Sequence, residues 1–264
     1  MFLNIAAYQF AHLNNREALQ SELLTFATER SLKGTILLAP EGINLFVAGE
    51  ELSVRELLTL IKKLPGLGDL TAKESWSATQ PFTRMLVRLK KETIAFGVEK
   101  ANPLHTQAGR ISAKELKAWY DSDKDFILLD TRNEFEIEVG AFKNTQHLNM
   151  HTFKDFIQGI EEKLPEWRTK PIVTVCTGGI RCEKAAPFMN MLGFENVQQL
   201  DGGILKYFEE CGSEHYQGDC FVFDKRVALN AELEPTGHGL CWDCQAVLEH
   251  PRAKCPRCPA KSYA

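Results

Sequence analysis

The stretch at positions 170–185, KPIVTVCTGGIRCEKA, constrains the fold of this chain more than any other. Its first part is short, β-branched and apolar, which predicts a buried strand over Ile172–Val175. A loop with two glycines follows, and a helix is predicted to begin near Arg181. A strand, a tight loop and a helix in direct succession are typical of an α/β domain with a parallel sheet. The functional loops of such domains lie at the carboxyl ends of the strands.

The loop has the form Cys-x4-Arg, from Cys176 to Arg181. Gly178 and Gly179 allow the backbone to curl so that successive N–H groups face the Cys176 sulfur. The helix N-terminus and Arg181 add positive charge, so the pattern favours a thiolate, which is the nucleophilic form of cysteine. A buried structural cysteine is the simpler alternative. Because such a cysteine needs neither two glycines nor an arginine beside it, we interpret Cys176 as a nucleophile.

Changes in the sequence pattern divide the chain into segments, and its fold class is predicted to be α/β. In the first segment the order β-α-β-β-α-β is typical of a ferredoxin-like arrangement, with Ser53 and Glu56 as a capping box that opens its second helix. In the segment at 112–212 strands and helices alternate, and a helix over 153–164 is predicted to stop at Pro165. The predicted segments are a ferredoxin-like α+β domain at 1–97, a linker at 98–111, a parallel-sheet α/β domain at 112–212 and a small cysteine-rich segment at 213–264.

Composition narrows the classes of function. The net charge of −4 argues against a globally basic nucleic-acid binder, although it leaves room for a local basic face. No apolar run approaches the length of a membrane span, and the first basic residue is Arg16, so no secretory leader is expected. The eight cysteines therefore favour metal or redox chemistry in a reducing cytoplasm over secreted disulfides.

Four of these cysteines form a spaced set in the last segment. Cys241 and Cys244 make one Cys-x2-Cys pair, Cys255 and Cys258 make another, and ten residues separate the pairs. Each pair can place two thiolates on one ion through a tight turn, and four thiolates complete a tetrahedral zinc site. Cysteine pairs without a metal are the alternative. The sequence predicts a structural zinc site at these four residues.

The middle segment resembles the rhodanese-like family in three motifs. These are Leu129-Asp130-Thr-Arg132-Asn-Glu134-Phe, the loop from Cys176 to Arg181, and Gly193-Phe-Glu-Asn-Val197 followed by Leu200-Asp-Gly202-Gly203. The resemblance implies a rhodanese-like fold. We expect Asp130 and Arg132 to brace the loop by hydrogen bonds, and we interpret Glu134, Glu136 and Glu138 as a solvated face.

Two residues depart from the rhodanese pattern. Thr177 stands where many sulfur-transferring rhodaneses carry a basic residue, which weakens the case for a thiosulfate anion as substrate. Cys182 stands where serine or threonine is common, and it places a second sulfur close to the nucleophile. A small buried residue in the first helical turn is an equal interpretation of Cys182.

The order of segments along the whole chain resembles one group, the bacterial rhodanese-domain tRNA uridine hydroxylases. The run CTGGIRCEKA and the segment from Cys220 to Val227, which precedes the paired cysteines, carry this resemblance. It implies oxygen-dependent 5-hydroxylation of the wobble uridine in tRNA, with Cys176 essential, O2 as co-substrate and tRNA as partner. No flavin or haem motif is evident, and no membrane association is expected.

The residues can support such a reaction by covalent catalysis. A thiolate that adds to uracil C6 generates an enolate and makes C5 electron-rich. The enolate oxygen can then be stabilised by N–H groups of the loop, which comprises Thr177, Gly178, Gly179 and Ile180, or by Arg181. A sulfurtransferase that carries a persulfide on Cys176 is the alternative enzyme. A third hypothesis is a non-catalytic module that binds RNA or protein, but the intact Cys176 loop argues against it.

Overall fold

The computed structural model describes residues 1–241, 243–244 and 246–258. The amino-terminal part forms a five-stranded sheet with two helices packed against it. Its elements are β1 Phe2–Phe10, α1 Arg16–Glu29, β2 Lys33–Ala39, β3 Gly42–Gly49, α2 Glu51–Lys62, β4 Ala72–Ser77 and β5 Met85–Leu89. The strand order is β4-β1-β3-β2-β5, in which the first four strands are antiparallel and β5 runs parallel to β2. The predicted ferredoxin-like order is confirmed, and β5 extends one edge of the sheet.

The start of α2 differs from the prediction. The helix begins at Glu51, so Ser53 lies inside its first turn and caps nothing. The strand before it ends at Gly49, and a single residue connects the two elements. Because the chain turns directly into the helix, the capping pattern at Ser53 falls one turn too late to act. One side of the helix is nevertheless buried, through Val54, Leu57, Leu58 and Ile61.

The middle of the chain forms a second, parallel sheet with helices on both faces. Its elements are β6 Gly109–Ile111, α3 Ala113–Asp121, β7 Ile127–Asp130, α4 Glu134–Ile137, β8 Gly140–Phe142, β9 Gln146–His147, α5 Phe156–Trp167, β10 Pro171–Val175, α6 Cys182–Leu192, β11 Asn196–Leu200 and α7 Gly203–Cys211. The strand order is β6-β11-β10-β7-β9, and every neighbouring pair is parallel. The predicted parallel sheet is confirmed.

Helix α5 does not stop at Pro165. It begins at Phe156, after a short 3₁₀ turn at Phe153–Asp155, and continues to Trp167. A proline inside a helix removes one backbone hydrogen bond. Here Pro165 stands in the last turn, and the Trp167 side chain beyond it is buried in the core. We attribute the extension to this apolar packing, which offsets the lost hydrogen bond.

The segment between the two sheets is packed against the second one. Phe96 is fully buried, with its ring centroid 4.8 Å from that of Phe153 and 5.5 Å from that of Phe188. The predicted linker at 98–111 contains a 3₁₀ turn at Glu99–Ala101, and its last three residues form β6 at the edge of the parallel sheet. The connecting segment therefore packs on the second sheet through Phe96 and Ala101 and ends as one of its strands.

Short strands form the carboxyl-terminal part. They are β12 Tyr216–Gly218, which pairs with β8, β13 Cys220–Phe221 with β14 Ala228–Leu229, and β15 Gly239–Leu240 with β16 Val247–Leu248. None of the helices in the described ranges combines the length and apolar character that a membrane span requires.

Candidate active site

The Cys176 loop curls around its own sulfur at the carboxyl end of β10. The Cys176 side chain is 1% exposed, and the Gly179 N–H donates a hydrogen bond to its Sγ over 3.1 Å. Gly179 has a φ of 98°, in the left-handed region that glycine adopts at little cost. The backbone N–H groups of Arg181 and Cys182 also donate to the sulfur. The loop therefore surrounds the Cys176 sulfur with hydrogen-bond donors.

These donors stabilise the thiolate. Burial alone disfavours the charged form of Cys176. A hydrogen bond from the Cys182 thiol, the charge of Arg181 and the backbone N–H groups outweigh burial and lower the pKa of Cys176 to about 6. Burial, the hydrogen bond to Cys176 and the negative charge there raise the pKa of Cys182 well above its usual value. At neutral pH the pair therefore consists of a Cys176 thiolate and a Cys182 thiol.

Arg181 is held by a residue that the sequence did not single out as functional. Its Nη1 and Nη2 donate to the two Glu136 carboxylate oxygens over 2.7 and 2.6 Å. Glu136 is fully buried, so the prediction of a solvated face is wrong for this residue, whereas Glu138 is exposed. The Glu136 carboxylate also accepts the Asn133 N–H at the start of α4, over 3.0 Å. The Asn-x-x-Glu spacing was the sequence signal for this contact.

Asp130 and Arg132 form a buried ion pair behind this contact. Both side chains are fully buried, and Arg132 Nη2 lies 2.7 Å from Asp130 Oδ2. Arg132 also donates to the carbonyl oxygens of Gly140, over 2.7 Å, and Glu136, over 3.4 Å. Neither side chain has a hydrogen bond to Cys176 in the described structure. They hold the segment that carries Glu136, and Glu136 in turn holds Arg181.

The amino terminus of α7 supports the loop from the other side. The Cys176 carbonyl accepts the Ile204 N–H over 3.0 Å, and the Thr177 carbonyl accepts the Leu205 N–H over 3.1 Å. Gly203 permits this approach, because a Cβ there would lie 2.4 Å from the Cys176 oxygen. The Thr177 hydroxyl donates to the Phe221 carbonyl over 3.4 Å.

The two remaining loop residues differ in their surroundings. A Cβ placed on Gly178 would meet no described atom within 4 Å, so this part of the loop faces open space. Ile180 is 9% exposed and belongs to the buried residues. The open approach to the loop is therefore at Gly178.

The first domain contacts α6 directly after the loop. The Tyr8 hydroxyl donates to Glu183 over 3.0 Å, and Arg110 Nη2, from strand β6 of the second sheet, donates to the same carboxylate over 2.7 Å. Lys184 is 1% exposed and lies 2.7 Å from Glu41 and 2.9 Å from Glu92. Burial and the charges of Glu183 and Cys176 raise the pKa of Tyr8, which keeps its hydroxyl protonated. Sequence reasoning missed these contacts, because their partners are far apart along the chain.

A cleft of about 1300 Å³ opens between the first domain, the loop and the carboxyl-terminal strands. Cys176 lines it, whereas Cys182 is fully buried and is not among the lining residues. Phe223 projects into it with 52% of its surface exposed. Six basic side chains from all three parts of the chain also line this cleft, among them Lys73, Lys154 and Arg226, and six acidic side chains line it as well.

The four tail cysteines lie together. Their sulfur atoms are all within 4.8 Å of one another, and Cys244 and Cys255 are 3.6 Å apart. Four sulfurs on one zinc ion at about 2.3 Å would be separated by roughly 3.8 Å. Backbone N–H groups donate to the first sulfur of each pair, and those of Cys244 and Asp243 lower the pKa of Cys241 to about 7. Four sulfur ligands at this spacing fit the tetrahedral coordination of a metal ion.

The tail is attached to the rest of the molecule near this cluster. His238 uses both ring nitrogens, one at 3.0 Å from Asp219 and one at 3.1 Å from the Leu248 carbonyl. Arg257, inside the second cysteine pair, forms an ion pair with Glu138 of the middle domain. The cysteine cluster therefore contacts the segment that also carries Glu136.

Two family models match the chain in the order that the fold presents. Residues 2–93 match the UPF0176 acylphosphatase like domain, and residues 112–210 match the Rhodanese-like domain. A protein of Ralstonia nicotianae named tRNA uridine(34) hydroxylase is 44% identical, with 97% of this chain and 96% of that protein covered. This chain belongs to the tRNA uridine(34) hydroxylase family.

Two further members of the family agree with this assignment. The protein of that name from Cupriavidus pinatubonensis is 47% identical over 93% of this chain and 89% of its own length. The one from Burkholderia cenocepacia is 43% identical over 99% of both chains. The similarity therefore includes the cysteine-rich tail as well as the two larger domains.

Proposed function

We propose that this chain hydroxylates the base of uridine 34 in tRNA, at C5, with dioxygen as co-substrate and Cys176 as the nucleophile. One observation carries the proposal: a cysteine that is a thiolate at neutral pH lines a cleft of about 1300 Å³. Ligand pockets of roughly 300–1,000 Å³ accept drug-sized molecules, so the cleft has room for a nucleotide and its neighbours. The names of the relatives supply the substrate and the position.

The loop geometry suits covalent catalysis on a flat base. The Cys176 thiolate adds to C6, and the negative charge moves to C5 and the O4 oxygen. Gly178 faces open space, so a base can approach the loop closely. Arg181 already gives two hydrogen bonds to Glu136, so we assign the stabilisation of the enolate to loop N–H groups and leave Arg181 to stabilise the thiolate.

The cleft also suits an RNA substrate. Lys73 and Lys154 line the cleft without an ion-pair partner among the described residues, and phosphates are bound by such local groups. Phe223 offers an exposed aromatic ring, on which a base can stack. From this proposal it follows that the enzyme is an oxidoreductase. It also follows that the enzyme is located in the cytoplasm, where tRNA is found.

Nucleoside analysis tests the proposed function. Purified chain is incubated with tRNA in air and under nitrogen, and the digested tRNA is analysed by mass spectrometry. We expect 5-hydroxyuridine at position 34 only in air, none with Cys176→Ser, and normal amounts with Cys211→Ser, which changes a cysteine away from the loop. A persulfide on Cys176 after thiosulfate treatment, without 5-hydroxyuridine, would instead favour a sulfurtransferase.

We also propose that Cys241, Cys244, Cys255 and Cys258 hold one structural zinc ion. The close spacing of their sulfurs and the N–H donors to Cys241 and Cys255 support this assignment. Elemental analysis of chain purified without chelator should give about one zinc per chain. Cys244→Ser should lower this value, and Cys211→Ser should not. Full zinc content in Cys244→Ser would contradict the ligand set.

A further inference from the structure

Two buried cysteines lie side by side at the active loop. The Cys182 thiol donates a hydrogen bond to the Cys176 sulfur, and its own Sγ lies 3.7 Å from the Thr131 hydroxyl. Thr131 is fixed in turn by a 2.9 Å hydrogen bond to the Val175 carbonyl. Cys176 lines the cleft, whereas Cys182 is fully buried and does not line it. A substrate in the cleft therefore meets Cys176, whereas Cys182 is shielded from it.

The proposed reaction requires two electrons. Insertion of one oxygen atom of O2 into the uracil C5–H bond leaves the other atom to be reduced to water. Oxidation of two thiols to a disulfide releases two electrons and two protons, which is the amount required. A sulfenic acid condenses with a neighbouring thiol to give a disulfide and water. The buried thiol beside Cys176 is in the position that this condensation needs.

We propose that Cys182 is a resolving thiol, and that the Cys176–Cys182 pair supplies the two electrons of the hydroxylation. This inference rests on the proposed function. The Cys176 thiolate adds to C6, and the C5 carbanion takes up O2 and a proton to form a hydroperoxide. Loss of the C5 proton and of the C6–sulfur bond restores the ring and frees the thiolate.

The freed thiolate then reduces the peroxide. It attacks the outer peroxide oxygen, and the O–O bond breaks to give 5-hydroxyuridine, after protonation, and a sulfenic acid on Cys176. The Cys182 thiol condenses with this sulfenic acid, forming the S–S bond and releasing water. In total, one uracil C–H bond, one O2 and two thiols give one C–OH bond, one disulfide and one water. An external dithiol reduces the disulfide between turnovers.

The position of Cys182 explains its residue type. In the first turn of α6, a serine could also donate a hydrogen bond to the Cys176 sulfur, but it could not form a disulfide. Cys220 provides a matched comparison, because it is another fully buried free cysteine of the same region, and its thiol donates to the Phe221 carbonyl. Burial raises the pKa of Cys220 to about 12, so it is a thiol like Cys182.

A single-turnover experiment tests the inference. The reduced chain is freed of reductant and mixed with tRNA in air, and product, free thiols and disulfide-linked peptides are measured. In the wild type we expect product to stop at about one 5-hydroxyuridine per chain, with two thiols lost and Cys176 linked to Cys182. Added dithiothreitol should restart turnover. Without tRNA the disulfide should form much more slowly.

Variants identify the resolving residue. In Cys182→Ser we expect the first product to form, no disulfide to appear, and Cys176 to be trapped by dimedone as a sulfenic acid. Cys220→Ser should behave like the wild type. Product formation in the wild type with both thiols still free, or a disulfide that forms equally fast without tRNA, would overturn the inference. The wild-type measurements decide the matter even if a variant folds poorly. Absence of 5-hydroxyuridine in the wild type would instead overturn the proposed function.

Discussion

Arg181, the last residue of the Cys-x4-Arg loop, forms two charge-assisted hydrogen bonds with the buried Glu136 carboxylate, over 2.6 and 2.7 Å. Forty-five positions separate the two residues along the chain. The contact holds the guanidinium in place beside the Cys176 thiolate and fixes the end of the loop. Glu136 is held through Arg132 and Asp130, so the thiolate depends on a buried chain of charges behind it.

Replacement of Glu136 by Gln should therefore destabilise the protein strongly. Arg181 would keep its charge in a buried position without a carboxylate partner, and breaking a buried ion pair costs about 3–5 kcal/mol. Urea unfolding should report this loss as a lower midpoint. Glu138→Gln is the matched control, because Glu138 forms an exposed ion pair with Arg257, and such pairs contribute little. Equal stability of the two variants would contradict the structural role of Glu136.

The low pKa of Cys176 predicts a pH dependence. Ultraviolet thiolate absorbance, taken as the difference between wild type and Cys176→Ser, should titrate near pH 6. An unperturbed cysteine titrates at about 8.5, so the unfolded chain binds this proton over a range in which the folded chain has lost it. The contribution of Cys176 to stability is therefore complete above about pH 8.5 and is lost as the pH falls through about 6. Cys182→Ala, which removes a donor, should raise the midpoint. A midpoint near 8.5 in the wild type would exclude a stabilised thiolate.

Local sequence patterns predicted the loop and the order of helices and strands along the chain, but not the residues that hold them in place. The apolar strand before Cys176 and the glycines after it are contiguous, so the curl around the sulfur follows from neighbouring residues. Tyr8 contacts Glu183 across 175 positions, and Arg181 contacts Glu136 across 45. Charged residues such as Glu136 and Lys184 are usually exposed, and only the tertiary fold reveals that they are buried and paired.

The predicted boundaries of two helices were wrong for a related reason. Ser53 and Pro165 carry strong local signals for a start and a stop, yet α2 begins earlier and α5 ends later. In each case the neighbouring structure decided the boundary: a one-residue connection from β3 in the first, and the buried Trp167 in the second. Terminal signals therefore specify helices to within about one turn.

Lys184 should be essential for the contact between the two domains. It is 1% exposed and bridges Glu41 of the first domain and Glu92 of the connecting segment. Lys184→Met would leave two poorly solvated carboxylates without a cation, and we expect a loss of about 3–5 kcal/mol of stability. Urea unfolding and hydrogen exchange at residues 41 and 92–96 measure this effect.

Lys117→Met is the matched control for Lys184. Lys117 also bridges two carboxylates, those of Asp121 and Glu214, each at 2.7 Å, but on the surface. Exposed ion pairs contribute little, so the control should unfold close to the wild-type midpoint. A Lys184→Met variant as stable as Lys117→Met, with unchanged exchange at residues 92–96, would show that the buried bridge does not hold the domains.

Gly203 should tolerate no side chain, because it lies against the carbonyl oxygens of the loop. A Cβ at this position would be 2.4 Å from the Cys176 oxygen and 2.8 Å from the Thr177 oxygen. Gly203→Ala therefore has to displace either α7 or the loop. Gly212→Ala separates this effect from backbone strain, since Gly212 also has a positive φ, 65° against 68°, but no described atom lies within 4 Å of its Cβ position. We expect Gly212→Ala to cost about 1–3 kcal/mol of stability, and Gly203→Ala to cost more.

The two glycine variants should also differ in the pH at which the Cys176 thiol titrates. Displacement of the loop in Gly203→Ala would weaken the hydrogen bond from the Gly179 N–H to Cys176 and raise the thiolate midpoint above about 6. Gly212 lies at the far end of α7, so Gly212→Ala should leave the midpoint unchanged. Urea unfolding and thiolate absorbance on the same samples measure both quantities. If both variants lose the same stability and keep the wild-type midpoint, the close approach of α7 does not shape the loop.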